Sequence, residues 1–146
     1  MNGWSLTYEG FLPTEEGLRE ALCTLGNGVF ATRGAAPEAV TDEVHYPGTY
    51  AAGVYDRLRT EIAGRTVENE DLVNAPNWLV LTFRPAGGDW LDLGSVEVLS
   101  YMQELDLRTG VLSRAFRFRD ADGRTTGVRQ RRPLTMAEPP LAAPET

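Results

Sequence analysis

Carboxylates and a single histidine are the side chains in this sequence that could perform general acid–base chemistry. Glycosyl transfer uses a pair of carboxyl groups, one as acid and one as base or nucleophile. One acidic stretch could supply such a pair from Glu61, Glu68, Glu70 and Asp71. A solvated connection between strands explains these acids as well, so the sequence assigns no catalytic residue.

The sequence has too few histidines and cysteines for a histidine-based metal site or an internal disulfide. His45 is the only histidine and Cys23 the only cysteine, so no site with two or three histidines and no internal disulfide can form. We expect His45 to make a hydrogen bond in a loop or at an interface, and Cys23 to be a small buried hydrophobe. Residues 120–123 lack the third oxygen ligand and the distal Glu of a calcium loop. No metal and no cofactor is therefore expected.

Two motifs suggest phosphate binding but have simpler interpretations. Residues 26–31 (GNGVFA) match the loose dinucleotide pattern, which needs a strand before it and a helix after it; here the order is reversed, which favours a helix stop and a tight turn. A cluster of arginines could bind phosphate or nucleic acid. Their alternation with Phe116 and Phe118 instead favours an exposed sheet face. The cluster comprises Arg117, Arg119, Arg124, Arg129, Arg131 and Arg132.

Residues 74–78 (NAPNW) form a stiff polar loop before an apolar run. Two amides and a proline can hydrogen-bond a neighbouring domain, so Asn74, Asn77 and Trp78 are predicted substrate- or domain-contact residues. Aromatic side chains could also form a sugar-stacking platform, although they more often fill a β-sandwich core. The aromatic candidates are Tyr50, Tyr55, Trp78, Trp90 and Tyr101.

The elements that would position these residues are mostly strands. Short segments rich in Val, Leu, Thr and aromatics lie between 15 glycines and 9 prolines, which predicts antiparallel β structure. Strands are expected at 4–8, 29–33, 49–55, 78–83, 96–101 and 110–119, with alternation at 90–93. Hairpins are expected around Asp122-Gly123 and, within residues 57–67, around Ala63-Gly64. One helix should open at Pro13, bring residues 18, 21, 22 and 25 onto one face, and stop at 26–28.

Length and composition are those of one soluble domain over residues 1–146, with 42% hydrophobic and 24% charged residues. The net charge of −7 disfavours nucleic acid and anionic membranes as partners. Apolar runs are too short to cross a bilayer, and the first residues lack the pattern of a secretory signal. We expect a cytoplasmic location. The proline-rich residues 137–146 are expected to form a flexible tail.

Five stretches carry a resemblance to a known family. They are 25–34 (LGNGVFATRG), 47–55 (PGTYAAGVY), 72–78 (LVNAPNW), 105–112 (LDLRTGVL) and 131–139 (RRPLTMAEP). In this order they resemble the N-terminal domain of glycoside hydrolase family 65, which includes maltose, trehalose and kojibiose phosphorylases and some trehalose hydrolases. Arg33, in the first stretch, joins Asn74, Asn77 and Trp78 as a candidate contact residue.

The resemblance implies a mainly β fold, an antiparallel β-sandwich that is part of a super-sandwich, with one short helix. In the family this sandwich packs against an (α/α)6 barrel, which carries the glutamate general acid and the phosphate or water site for inverting cleavage of α-glucosides. No stretch here matches that barrel, so no catalytic residue can be transferred. The sandwich is expected to be incomplete, with the parent enzyme's barrel, a second copy and a small saccharide as partners.

Three functions are open at this point. The first is a non-catalytic N-terminal portion of a family 65 enzyme of carbohydrate metabolism, acting on trehalose- or maltose-type disaccharides. The second is a free-standing carbohydrate-binding module, and the third is a small hydrolase using a carboxylate pair. The residues that separate phosphorolysis from hydrolysis, and one α-glucoside from another, would lie in the barrel. Unpaired edges of an incomplete sandwich predict self-association.

Overall fold

The computed structural model describes residues 3–137 and 142–146, most of which form antiparallel strands. The strands are β1 Ser5–Glu9, β2 Leu25–Gly26, β3 Phe30–Thr32, β4 Thr49–Ala51, β5 Tyr55–Ile62, β6 Arg65–Leu72, β7 Glu97–Asp106, β8 Val111–Arg119 and β9 Thr125–Pro133. A 3-10 turn, Pro13–Glu15, leads into the helix α1, Glu16–Leu22. The mainly β class with one short helix is confirmed.

The main sheet has four strands in the order β1-β7-β8-β9. Its last two strands form the hairpin expected around Asp122-Gly123, in which Gly123 has a positive φ of 81°. The Asp120 carboxylate accepts backbone hydrogen bonds from Asp122 and Arg124 and so holds this turn. Phe116 and Phe118 point to the buried face, as the alternation predicted.

Two apolar clusters lie on the buried face of the main sheet. The first contains Leu91, Leu93, Tyr101, Phe116, Phe118 and Val128, and the second contains Cys23, Leu25, Leu105, Leu112 and Leu134. The segment around Leu91 therefore covers one half of the sheet, and the end of α1 with the small sheet covers the other half. Cys23 is fully buried, as expected, and burial raises the pKa of its thiol.

The helix differs from the expectation in its length and in the face it buries. It ends at Leu22, and residue 25 lies in β2. Leu18 and Leu22 are 61% and 51% exposed, whereas Arg19 and Glu20 are buried. The buried polar groups find partners: Arg19 donates to the Gly10 carbonyl at 2.8 Å. The predicted apolar face was wrong because tertiary partners satisfied the polar face.

Two strand predictions need correction. Residues 78–83 are not a strand, because no neighbouring strand in the described residues offers them a ladder of backbone partners. Single bonds hold the segment instead, from Leu81 N to Pro37 O at 3.1 Å and from Leu91 N to Phe83 O at 2.9 Å. The expected strand 49–55 is interrupted by Gly53, whose φ is 79°.

The second hairpin is longer than expected. β5 and β6 pair along their whole length, from Tyr55 with Leu72 to Ile62 with Arg65. Ala63 and Gly64 form its turn with φ values of 50° and 75°, the conformation that suits a two-residue hairpin loop. Every residue of both strands is exposed.

The end of the chain contacts the last strand of the main sheet. The predicted tail, 137–146, includes residues 138–141, which lie outside the described residues. Beyond them, Glu145 forms an antiparallel bridge with Arg131.

Arg132 does not share the exposed face predicted for its cluster. It is buried and donates to the carbonyls of Arg33 and Ala35 at 3.0 and 2.7 Å. No helix among the described residues is long and apolar enough to span a bilayer.

Candidate domain-contact site

Three of the family-like stretches meet at a small sheet, β2-β3-β4. Residues 25–34 supply β2 and β3, and residues 47–55 supply β4 and the entry to β5. Residues 72–78 leave β6 and return to the same sheet, where Ala75 N donates to Thr49 O at 2.7 Å. Segments that lie far apart in the sequence therefore form one surface.

Asn27 shapes the turn between β2 and β3. Its side-chain oxygen accepts hydrogen bonds from Val29 N at 3.1 Å and Phe30 N at 3.0 Å, and its amide group donates to Thr135 O at 3.0 Å. Gly28 takes a positive φ of 84° in this turn. The turn joins two strands, so it lacks the strand-to-helix context of a dinucleotide site, and the tight-turn interpretation is the one that fits.

Asn74 joins the second and third stretches. Its side-chain oxygen accepts a hydrogen bond from Thr49 N at 3.0 Å, and its amide donates to Pro47 O at 3.3 Å. Both bonds stay within the domain. Asn74 therefore holds the second and third stretches together, which leaves little of its amide for a substrate.

Arg33 lies at the end of β3 and packs inside the same unit. Its guanidinium carbon is 5.6 Å from the centre of the Tyr46 ring, and its Nη2 donates to Gly17 O at 3.4 Å. Gly48 leaves room for this side chain, since a Cβ there would lie 2.9 Å from the Arg33 Cδ. The Arg33 Nε is buried with no hydrogen-bond partner in the described part of the chain.

Asn77 and Trp78 do not join Asn74 in one polar cluster. The Asn77 side-chain oxygen accepts a hydrogen bond from Leu79 N at 3.0 Å, which holds a local turn. Trp78 is half-buried, and its indole nitrogen is buried without a partner among the residues that the structure describes. Of the predicted residues, the structure thus brings Arg33 and Asn74 to the small sheet.

An apolar groove of about 200 Å³ runs over the small sheet. It is lined by Gly26, Gly28, Val29, Phe30, Ala31, Tyr50, Ala51, Ala52 and Leu72. Val29 and Leu72 are largely exposed at its rim, as are Val54 and Tyr55 at the start of β5. Exposed apolar groups of this kind, gathered in one patch, mark interaction sites.

A buried polar network separates the two apolar clusters. Arg114 binds Glu38 through two hydrogen bonds, at 2.6 and 2.9 Å, and donates to Gln130 at 3.1 Å. Its guanidinium lies 4.5 Å from the centre of the Phe116 ring. Burial raises the pKa of Tyr101 in this network to about 12. Every charge here has a partner, as a structural network requires.

Acid–base residues are likewise engaged in internal pairs. His45 Nδ1 lies 2.6 Å from the carboxylate of the buried Glu20, which also accepts a hydrogen bond from Tyr46 N. On β6, Glu68 and Glu70 pair with arginines of β5 at 2.8 and 2.7 Å. The described residues contain no group of three or more His, Cys, Asp or Glu placed to hold a metal ion.

The sequence patterns do not identify the residues around the groove or the Arg114–Glu38 pair. The sequence predicts a strand at Val29 and no strand at Leu72, and only the convergence of distant segments makes the two residues neighbours. Arg114 differs from Arg117 and Arg119 on the same strand because it occupies the same face of β8 as Phe116 and Phe118. Residues two apart on a strand lie on the same face of the sheet, and this spacing from Phe116 was the signal that could have identified Arg114.

Fold and site together define an antiparallel β domain with an exposed apolar groove and internally paired acid–base groups. The model of the glycosyl hydrolase family 65 N-terminal domain matches residues 6–146. This chain therefore belongs to that family, as its N-terminal domain.

Known relatives are much longer than this chain. An uncharacterized glycosyl hydrolase of Mycobacterium tuberculosis is 54% identical over 143 residues, which are 98% of this chain and 11% of the relative. A kojibiose phosphorylase of Caldanaerobacter subterraneus is 30% identical over 125 residues, 86% of this chain and 15% of that protein. A trehalose 6-phosphate phosphorylase of Lactococcus lactis is 51% identical over 59 residues, 40% of this chain and 8% of that protein.

A solved structure has the same fold. It comes from the human microbiome under the provisional name kojibiose phosphorylase and superposes with a TM-score of 0.84 at 24% identity. The match covers 95% of this chain and 19% of that one. The chain thus corresponds to a small part of larger polypeptides.

Proposed function

We propose that this chain is the non-catalytic N-terminal β-sandwich portion of a family 65 enzyme that acts on trehalose- or maltose-type α-glucosides. Its role is to support the catalytic barrel of the parent enzyme and to provide oligomer contacts. The observation that carries the proposal is the apolar groove on the small sheet, where three family-like stretches meet. A cytoplasmic parent is part of the proposal, and a single buried thiol suits a reducing compartment.

The groove suits a protein partner better than a sugar. Its walls are almost entirely apolar, whereas saccharides need several polar groups to fix their orientation. Two polar residues of the stretches that form the groove, Asn74 and Asn27, make their hydrogen bonds to backbone groups of this domain. The result is a rigid apolar surface, which suits docking of a neighbouring domain.

A complementation experiment tests the docking role. The mycobacterial relative, without its aligned 143-residue segment, is co-expressed with this chain, and copurification is measured. We expect a complex that is weakened at least tenfold by Val29→Asp or Leu72→Asp at the groove rim. Leu58→Asp, on the exposed hairpin, is the matched control and should bind normally. Each variant's thermal unfolding is checked first. No complex, or equal binding by all variants, would contradict the proposal.

Catalysis by the chain alone is tested directly. The purified chain is incubated with maltose, trehalose or kojibiose, with and without inorganic phosphate, and release of glucose and glucose 1-phosphate is followed. We expect neither product. Turnover abolished by one carboxylate substitution would revive the small hydrolase.

A second candidate, the free-standing carbohydrate-binding module, is favoured by one observation. Trp90 is exposed beside a cleft of about 150 Å³ that also contains Asp120, Asp122 and Arg124. Against it, Arg84 lies 5.2 Å from the centre of the Trp90 ring, and the three charged groups pair with one another. Titration with maltose, trehalose and glucose separates the candidates, since saturable quenching of tryptophan emission that is lost in Trp90→Ala would favour the module.

A further inference from the structure

The β5–β6 hairpin stands apart from both apolar clusters. Each of its strands has eight residues, all of them exposed. Strands of that length extend about 26 Å. A two-stranded hairpin alone is at best marginally stable in water, so one that folds usually packs against something. The chemistry of its two faces indicates what that is.

The first face, here called the ladder face, pairs both of its arginines with glutamates of the facing strand. Arg57 pairs with Glu70 at 2.7 Å, and Arg59 pairs with Glu68 at 2.8 Å. Beyond them, Glu61 accepts a hydrogen bond from the Thr66 hydroxyl. These cross-strand contacts give each of the five charged side chains of this face a polar partner, which leaves the face suited to contact with water.

The opposite face, here called the open face, is polarised along its length. Four cross-strand pairs occupy it from base to tip: Asp56 with Asp71, Leu58 with Asn69, Thr60 with Val67, and Ile62 with Arg65. Its apolar members Leu58, Val67 and Ile62 are 59%, 43% and 58% exposed. Two carboxylates thus mark the base, Leu58 and Val67 lie in the two middle pairs, and Ile62 lies at the tip beside a cation, Arg65. Arg65 has no ion pair within the described residues.

We propose that the open face binds the open face of a second copy of this chain, with the two hairpins antiparallel about a two-fold axis. An isologous interface must be self-complementary. In the antiparallel arrangement, Arg65 of each copy lies over Asp56 and Asp71 of the other, and Leu58 and Val67 of the two copies meet between these two charged ends. A parallel arrangement would place like charges opposite each other, which is costly.

The size of this surface sets the strength of the contact. A stable interface buries about 800 Å² per partner, which exceeds what one face of a short hairpin offers. Association is therefore reversible and concentration-dependent. This inference rests on the oligomer contacts proposed above and gives them a location, while barrel docking uses the groove instead.

Charge exchange tests the arrangement. The dimer fraction is measured by sedimentation equilibrium from low to high micromolar concentration for the wild-type chain, Arg65→Glu, and Asp56→Arg/Asp71→Arg. Wild type should dimerise, and each variant alone should dimerise at least tenfold more weakly, because like charges then face each other at both ends. An equimolar mixture of the two variants should form a heterodimer, since both ends become complementary again. The control is Arg59→Glu/Glu68→Arg, which exchanges charges on the ladder face and should dimerise like wild type.

The outcomes separate the two proposals. A wild-type chain that stays monomeric at high micromolar concentration overturns both the hairpin interface and the proposed oligomer contacts. Wild-type dimers that Arg65→Glu leaves intact overturn the hairpin interface alone. Variants that fail to pair when mixed overturn the antiparallel arrangement. Circular dichroism of each variant confirms that the main sheet is intact.

Discussion

The β8–β9 and β5–β6 hairpins are similar in local structure and opposite in environment. Both have long antiparallel strands and a tight turn with positive-φ residues, Gly123 in one, Ala63 and Gly64 in the other. In β8–β9, alternate residues such as Phe116 are buried against the rest of the domain. In β5–β6, no residue is buried. Local sequence thus specifies a hairpin, while its neighbours decide whether a face becomes core or remains a surface.

The largest expected effect comes from the buried hairpin. Phe116→Ala should lower the free energy of unfolding by about 4 kcal/mol, because it removes a buried ring and leaves a cavity. Leu58→Ala, on the exposed hairpin, should cost less than about 0.5 kcal/mol. Urea unfolding at low micromolar concentration, followed at two protein concentrations to separate any effect of association, measures both. Equal losses would remove the distinction between the two hairpins.

Arg114 tests whether the buried network acts as a unit. Arg114→Met leaves the Glu38 carboxylate without its bidentate partner and should cost about 3 kcal/mol. Replacing both partners, in Arg114→Met/Glu38→Leu, should recover most of this loss because no unpaired charge is then buried. The same urea experiment measures the recovery. A double variant as unstable as the sum of its single variants would show that the two side chains are not coupled, which would contradict a network that acts as a unit.

The smallest effect is expected on the ladder face. Arg59→Ala should change the free energy of unfolding by less than about 0.5 kcal/mol, because exposed ion pairs are screened by water and salt. Urea unfolding at low and high salt provides the measurement. A loss above 1 kcal/mol at low salt that disappears at high salt would mean that the ladder contributes far more than exposed pairs usually do.

The tight turns were predictable because their sequence signal lies within two neighbouring residues. The Asp122-Gly123 and Ala63-Gly64 turns were located correctly because their residues tolerate the required backbone conformation. The candidate site was only partly predictable. Asn74 stood out as a polar loop residue, but its partners Pro47 and Thr49 precede it by 27 and 25 residues. Hydrogen bonds between residues so far apart cannot be recognised from a short stretch of sequence.

The family-like stretches and the β-type alternation could be recognised from the sequence alone. Motif spacing and the alternation of apolar and polar side chains are properties of the sequence and do not depend on the fold. Tertiary structure decided which faces became interior. Leu18 and Leu22 have helical spacing yet face outward, while Arg19 and Glu20 are buried by partners from other segments. Likewise residues 78–83 have strand composition but no strand beside them in the described structure. Burial and sheet pairing depend on what lies opposite, and only the folded chain determines that.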